Sequence, residues 1–193
     1  TPKLTEMAYQ KHFVITMGRL TRAVATTQNE LDSHGIWTER LAEIDVYQTW
    51  FAGRALGWQM YLGSGNIYIP AIALGRVSSV LFGSPTEGLR DILRHEYAHA
   101  VAHCYRALIR SNQFVTAFGT NHDNPTKFEY DEDIHISAYA AHDASEDFAE
   151  VFKLYFKHSG KIPGRFNTPA IRRKWKFVKR LLARIKAGKN RWY

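Results

Sequence analysis

Residues 95–99 read His95-Glu96-Tyr97-Ala98-His99. Two histidines four residues apart on a helix differ by about 40° in direction, so both imidazoles leave one face, one turn apart. That spacing lets both bind one zinc ion at about 2.0–2.1 Å. Glu96, one step round the helix, is badly placed to join the same coordination plane but can reach a water on the ion. Zinc lowers the pKa of such a water towards about 7, and a carboxylate beside it can take the proton. The chemistry implied is hydrolysis by metal-activated water, with Glu96 as general base.

A catalytic zinc site usually has three protein ligands and one open position. His103 falls near the same face, but eight residues of helix put it about 12 Å from His95. It is read as a core residue or as one lying behind the ligands, and Cys104 as a small buried apolar group. Downstream, Ser145-Glu146-Asp147-Phe148-Ala149-Glu150 sets Glu146 and Glu150 one turn apart on one helical face. One carboxylate can bind the metal while the other accepts the free ring N–H of a ligating histidine. Ala144 and Ala149 are small enough to let this helix approach the histidine helix. Tyr139, seven residues before Glu146, can donate its hydroxyl to the oxyanion formed when water attacks a peptide carbonyl.

The order Tyr139, Glu146, Phe148-Ala149-Glu150, read with His95-Glu96-x-x-His99, resembles the lethal-factor-like branch of the glutamate-zincin (gluzincin) metallopeptidases. That branch includes the compact secreted Pro-Pro endopeptidases. The resemblance covers about residues 60–157. It implies His95, His99 and Glu146 as zinc ligands, Glu96 as general base, Tyr139 as oxyanion donor and Glu150 as the carboxylate supporting a ligand. It also implies an α+β fold of minimal zincin form, with a small twisted sheet over the histidine helix, and zinc endopeptidase activity on a peptide or protein substrate. Residues 1–58 and the tail fall outside it, so substrate preference does not follow.

The elements that must position these groups can be read from periodicity. Residues 5–28 carry apolar residues at near-helical spacing, and a second helical stretch runs from about Trp37 to Ile44. From Asp45 to Leu74, aromatic and β-branched residues between glycine-containing turns indicate two or three strands. Gly63-Ser64-Gly65 is expected to be the hairpin loop. Pro70 cannot donate to a ladder, so its strand is expected to end there or lie at an edge. The Asn66–Ile69 strand is accordingly the one expected to pair with an extended peptide. Ser84, Pro85 and Glu87 form a capping-box start for the histidine helix, expected to reach about Arg110. Residues 119–133 read as a loop, Ala144 to His158 as a helix closed by Gly160 and Pro163, and Pro169 to about Gly188 as a last helix.

The chain has 193 residues, 45% hydrophobic and 23% charged, which suits one folded domain and excludes a disordered or collagen-like chain. That domain divides into an N-terminal helical part (1–58), sheet and histidine helix (59–110), loop and glutamate helix (111–160), and a basic C-terminal helix (161–193). One cysteine excludes an intramolecular disulfide. The net charge of +8 is uneven: residues 1–160 hold 14 basic and 18 acidic residues, and residues 161–193 hold 12 basic and no acidic ones. In the last helix Ile171, Trp175, Val178, Leu182 and Ile185 form a stripe expected to pack on the body. Arg172, Arg173, Lys174, Lys176, Lys179 and Arg180 are expected to face water. Nucleic acid or anionic membrane is a partner this face could take, in a zincin-like binding protein with weak or no peptidase activity, but it is the less favoured reading. Glu129, Asp131, Glu132 and Asp133 read as a solvated loop, lacking the glycine turn of an EF-hand, that could line the cleft and prefer basic substrates.

Overall fold

The computed structural model describes residues 14–52, 57–61, 63–73 and 88–193. The part of the first helical stretch before residue 14 and the Ser84-Pro85-Glu87 capping box lie outside them. The described residues form an α+β fold of seven α-helices and a three-stranded mixed sheet. In chain order these are α1 (Met17–Ser33), α2 (Glu39–Ala42), β1 (Val46–Ala52), β2 (Gly57–Tyr61), β3 (Ser64–Ala73), α3 (Leu89–Cys104), α4 (Arg106–Ile109), α5 (Asn112–Phe118), α6 (Ala144–Lys157) and α7 (Pro169–Lys186).

The sheet order is β1-β3-β2, with β3 parallel to β1 and antiparallel to β2. This corrects two expectations. The Asn66–Ile69 segment is central, not an edge, and β2 is the edge strand nearer the histidine helix. Pro70 neither ends β3 nor marks an edge; it pairs in register with Thr49. The Ile67 N–H donates towards β1, to the Asp45 carbonyl. Alternation then turns the Pro70 nitrogen to the other side, past the Gly57↔Tyr68 pair that ends the described β2 ladder. The hairpin loop also shifts: Tyr61 pairs with Ser64, so the turn precedes Ser64, with Gly63 at φ +86°.

Helix α3 runs through the middle of the molecule, against the sheet on one side and α1 and α6 on others. Ala98, Ala100 and Ala102 of α3 are buried, as are Ala144 and Ala149 of α6, and the two helices pack together. Small side chains on both helices set the close approach that the site needs. The helix stops at Cys104, short of Arg110. Tyr105 leaves helical geometry, its hydroxyl pairs with Thr38 Oγ1 at 2.7 Å, and α4 restarts at Arg106.

Capping fixes where the other elements begin. Asp143 accepts from the Glu146 N–H at 2.9 Å at the start of α6, and Thr168 accepts from Ile171 with Pro169 following at the start of α7. Short α5, not anticipated, is capped by Ser111 and ended by Gly119 at φ +83°. The stripe of α7 is buried as expected, but Lys174 is not in water. It is 2% exposed and pairs with Asp147 of α6 at 2.6 Å. Lys174 lies three residues from Ile171 and four from Val178, which places it inside the apolar stripe.

Candidate metal centre

His95 and His99 project from α3 with their Nε2 atoms 3.2 Å apart. Glu146, at the first turn of α6, brings Oε2 to 3.0 Å from His95 Nε2 and 3.6 Å from His99 Nε2. Ligand atoms about 2.0–2.1 Å from one tetrahedral ion stand roughly 3.3 Å from each other. The three observed separations bracket that value. Glu146 Oε2 is buried and has no hydrogen-bond partner, although an imidazole nitrogen is 3.0 Å away. Three side-chain ligand atoms converge on one point, and the donor set N, N, O suits zinc. It is the one group of three or more potential ligands found among the described residues.

The far side of each imidazole is held. His95 Nδ1 meets Glu150 Oε1 at 2.9 Å, and Glu150 Oε2 accepts from Ser137 Oγ at 2.9 Å. Ser137 in turn accepts from the Ala140 N–H, and Lys153 donates to Glu150. His99 Nδ1 faces Ser145 Oγ at 3.2 Å. A carboxylate acceptor puts the His95 proton on Nδ1 and leaves its Nε2 lone pair free for a metal.

Charge accumulates here. Burial alone would push the His95 imidazole down, but the Glu146 and Glu150 carboxylates outweigh it and hold it up at about 10. Burial pushes Glu150 up, yet His95 and Lys153 bring it down to about 2. Glu146 is driven well below the usual carboxylate range against its own burial, by both imidazoles. The two carboxylates thus favour positive charge at the point where the ligand atoms converge.

Glu96 is buried beside the ligands, and its Oε2 accepts from the Trp58 N–H at 2.7 Å. Gly57 makes this approach possible: its φ is +61°, and a Cβ there would lie 2.6 Å from a Glu96 carboxylate oxygen. Tyr139 is 54% exposed, with its ring 5.7 Å from that of His95. Burial and then the Glu146 and Glu96 carboxylates push its hydroxyl pKa up, so it stays a donor at neutral pH. These side chains wall an open cavity of about 390 Å³, which also reaches Gln59 on the edge strand.

All six residues singled out from the sequence, His95, Glu96, His99, Tyr139, Glu146 and Glu150, thus meet in one place. His103 does not join them; it packs on Trp58 and contacts Arg106. His122 packs against Phe114 and Phe148. His135 is buried, and His142 is exposed beside Asp143. The acidic 129–133 loop is exposed and shares no residue with the site cavity. Sequence reasoning missed Ser137, Ser145, Gly57 and Lys153. Ser145 had a signal, since it directly precedes Glu146 in the first turn of α6; Ser137 sits in an irregular loop where no periodicity speaks.

No protein-family model, no curated protein and no solved structure matches this chain.

Proposed function

We propose that the protein is a zinc endopeptidase of the gluzincin type, holding the ion through His95, His99 and Glu146. The observation that supports this most is the convergence of those three ligand atoms within 4.8 Å, with a carboxylate and a phenol beside them and an open cavity in front. Zinc, when bound, supplies a Lewis acid for the scissile carbonyl and lowers the pKa of the attacking water.

The remaining chemistry belongs to the chain. Glu96, aimed by the Trp58 N–H, takes the proton of the attacking water and returns it to the leaving amine. Tyr139 donates to the oxygen that becomes an oxyanion. Glu150, Ser137 and Ser145 hold the imidazoles so that neither swings when substrate enters. Among the described residues β2 is the edge strand beside the cavity, and an extended peptide can lie along it.

Glu96→Gln keeps the size and polarity of the side chain but cannot take a proton. It is expected to retain zinc and lower cleavage of a peptide library by about 10²–10⁴-fold. Retained turnover would remove Glu96 from its role. Chelator should abolish cleavage by the native chain and added zinc should restore it.

A second reading, polyanion binding through α7 with little peptidase activity, is favoured by one observation. Arg172, Arg173, Lys176, Lys179 and Arg180 are exposed, and none has a carboxylate partner among the described residues. The apolar stripe of α7 is spent on the core, so nucleic acid suits this face better than insertion into a membrane. Bound zinc with no cleavage across the library, together with salt-sensitive binding to nucleic acid, would favour it.

A further inference from the structure

The site cavity does not end at the candidate metal centre. A second cavity of about 320 Å³ shares Trp58, His99 and Ser145 with it. A third, of about 750 Å³, shares Arg110, His122 and Asp123 with the second and reaches the C-terminal Trp192 and Tyr193. Together they make one trough along α3 and α4.

The middle section carries the titratable groups His99, His103, Arg106, Arg110, His122 and Asp123. Asp123 is consumed locally: its Oδ2 meets Arg110 Nε at 2.6 Å and its Oδ1 meets His122 Nδ1 at 3.0 Å. Arg106 is different. It is exposed, and among the described residues it has no carboxylate partner; its guanidinium donates to His103 Nδ1 at 2.8 Å. Burial and the Arg106 charge both push His103 down, and an imidazole carries no negative charge that could offset the guanidinium. Ala102 and Ile109 are buried apolar residues lining the same section, and Trp58 and Met60 line it too. Four apolar side chains beside a guanidinium with no carboxylate partner among the described residues suit a ligand group with an aliphatic stem and an anionic tip.

We propose that this section is a carboxylate subsite of the substrate, with Arg106 as the residue that selects for it. The proposal rests on the peptidase reading of the adjoining site. Arg106 follows His99 by seven residues, with the helix broken at Tyr105, and both line the same cavity of about 320 Å³, a span on the order of 10 Å. An extended peptide advances about 3.3 Å per residue. The selected carboxylate therefore belongs to a residue within about three positions of the cleaved bond. It is either a Glu or Asp side chain or the substrate's own C-terminus.

The test is a positional peptide library containing Glu, Gln or Lys at each place, made both with free C-termini and as C-terminal amides. It is run on the native chain and on Arg106→Ala and Arg106→Glu. The native chain should cleave the Glu peptide over its Gln counterpart by about tenfold or more in kcat/KM, the worth of one charge-assisted hydrogen bond. Arg106→Ala should remove the preference, chiefly through KM, and Arg106→Glu should turn it towards Lys. A preference for Glu over Gln that persists in the amides assigns the side chain; a preference for the free acid over its amide, whatever the residue, assigns the C-terminus, and either counts as discrimination. Cleavage without discrimination, or discrimination that survives Arg106→Ala, overturns the subsite and leaves the peptidase standing. Binding of the same peptides to Glu96→Gln protein, read by calorimetry, separates the two ideas further. Tighter Glu than Gln binding that is lost in Glu96→Gln/Arg106→Ala, without cleavage by the native chain, keeps the subsite and removes the peptidase. Neither cleavage nor discrimination in binding removes both. Thermal melts of each variant check that the exposed substitution leaves the fold intact.

Discussion

Helix α6 carries three acids in five residues, and they serve two different kinds of buried charge. Glu146 and Glu150 face the imidazoles of α3, while Asp147 faces Lys174 of α7. The Asp147 cluster is almost sealed from water and the Glu146 cluster lines a cavity, yet both leave one carboxylate oxygen without a hydrogen bond, Glu146 Oε2 and Asp147 Oδ1. An orphan oxygen therefore does not by itself mark a metal site. At Asp147 the cation is built in: Lys174 donates to Asp147 and to the Ile134 carbonyl and lies 5.8 Å from the Phe118 ring centre. At Glu146 two imidazole nitrogens converge on the same point, and no lysine or arginine of the described residues pairs with Glu146. One cluster is closed by a lysine; the other is open to an ion.

The largest effect expected from this contrast is on the open cluster. Glu146→Ala removes one of three ligands, and zinc content after dialysis should fall from about one per chain to almost none. Direct metal analysis reads this, and full zinc retention would leave the two clusters alike in kind. Lys174→Met, on the closed side, should leave zinc content unchanged. It should cost about 3–5 kcal/mol in chemical unfolding, because it strands a buried carboxylate. Burial already pushes Asp147 up to about 6 despite the lysine, so the penalty should shrink as the pH is lowered and the stranded acid takes a proton. Asp147→Leu with Lys174→Met should recover most of the loss, since an apolar pair of similar volume is often neutral or better. Loss of zinc in the single variant would mean the clusters are coupled through α6.

Next in size is Glu150→Gln, which keeps a polar group at His95 Nδ1 but removes the charge. Support of this kind is worth about 10–100-fold in metal affinity, measurable by competition with a chelator of known strength. Ser145→Ala behind His99 should cost less, since a neutral hydroxyl at 3.2 Å polarises the ring weakly. An equal loss from both would show that charge behind the imidazole matters little here.

How much of this was legible in sequence follows from which interactions are local. His95 with His99 and Glu146 with Glu150 are pairs at i and i+4, and a helix turns that spacing into a shared face without further information. That the two faces meet was foreshadowed by Ala144 and Ala149, whose small size is a packing signal. Strand order was not legible: Pro70 argued for an edge, yet a long-range pairing between β1 and β3 decides the sheet, and Pro70 fits because its nitrogen faces past the end of β2. Lys174 was misread by residue type, although its position within the stripe of α7 was available. Gly57 shows the opposite limit, since nothing near it in sequence says that Glu96 will come within reach of its missing side chain.

A third charge cluster lies between the two extremes and gives the smallest effect. Arg94, next to His95, is buried and binds Glu30 of α1 through two nitrogens at 2.7 and 2.8 Å, and Asp91 at 2.6 Å. Asp91 also meets Lys157 at the end of α6. This network ties α1, α3 and α6 together behind the candidate metal centre. Burial pulls the Asp91 carboxyl up, but Lys157 and Arg94 outweigh it and hold it below its ordinary value of 3.8. A carboxyl whose pKa is lower in the folded chain stabilises it at pH values above the unfolded pKa. That contribution is lost as the pH falls through the folded one. Asp91→Asn should therefore lower the free energy of unfolding at pH 7 by a margin that narrows below about pH 4 and closes as the native carboxyl protonates. Because Lys157 is half exposed, the margin should be about 1 kcal/mol and should shrink in high salt. Zinc content should not change, since Asp91 touches neither imidazole. A margin independent of pH would mean that Asp91 acts through packing rather than charge, which would align this cluster with the closed pair at Lys174 instead of placing it between the two.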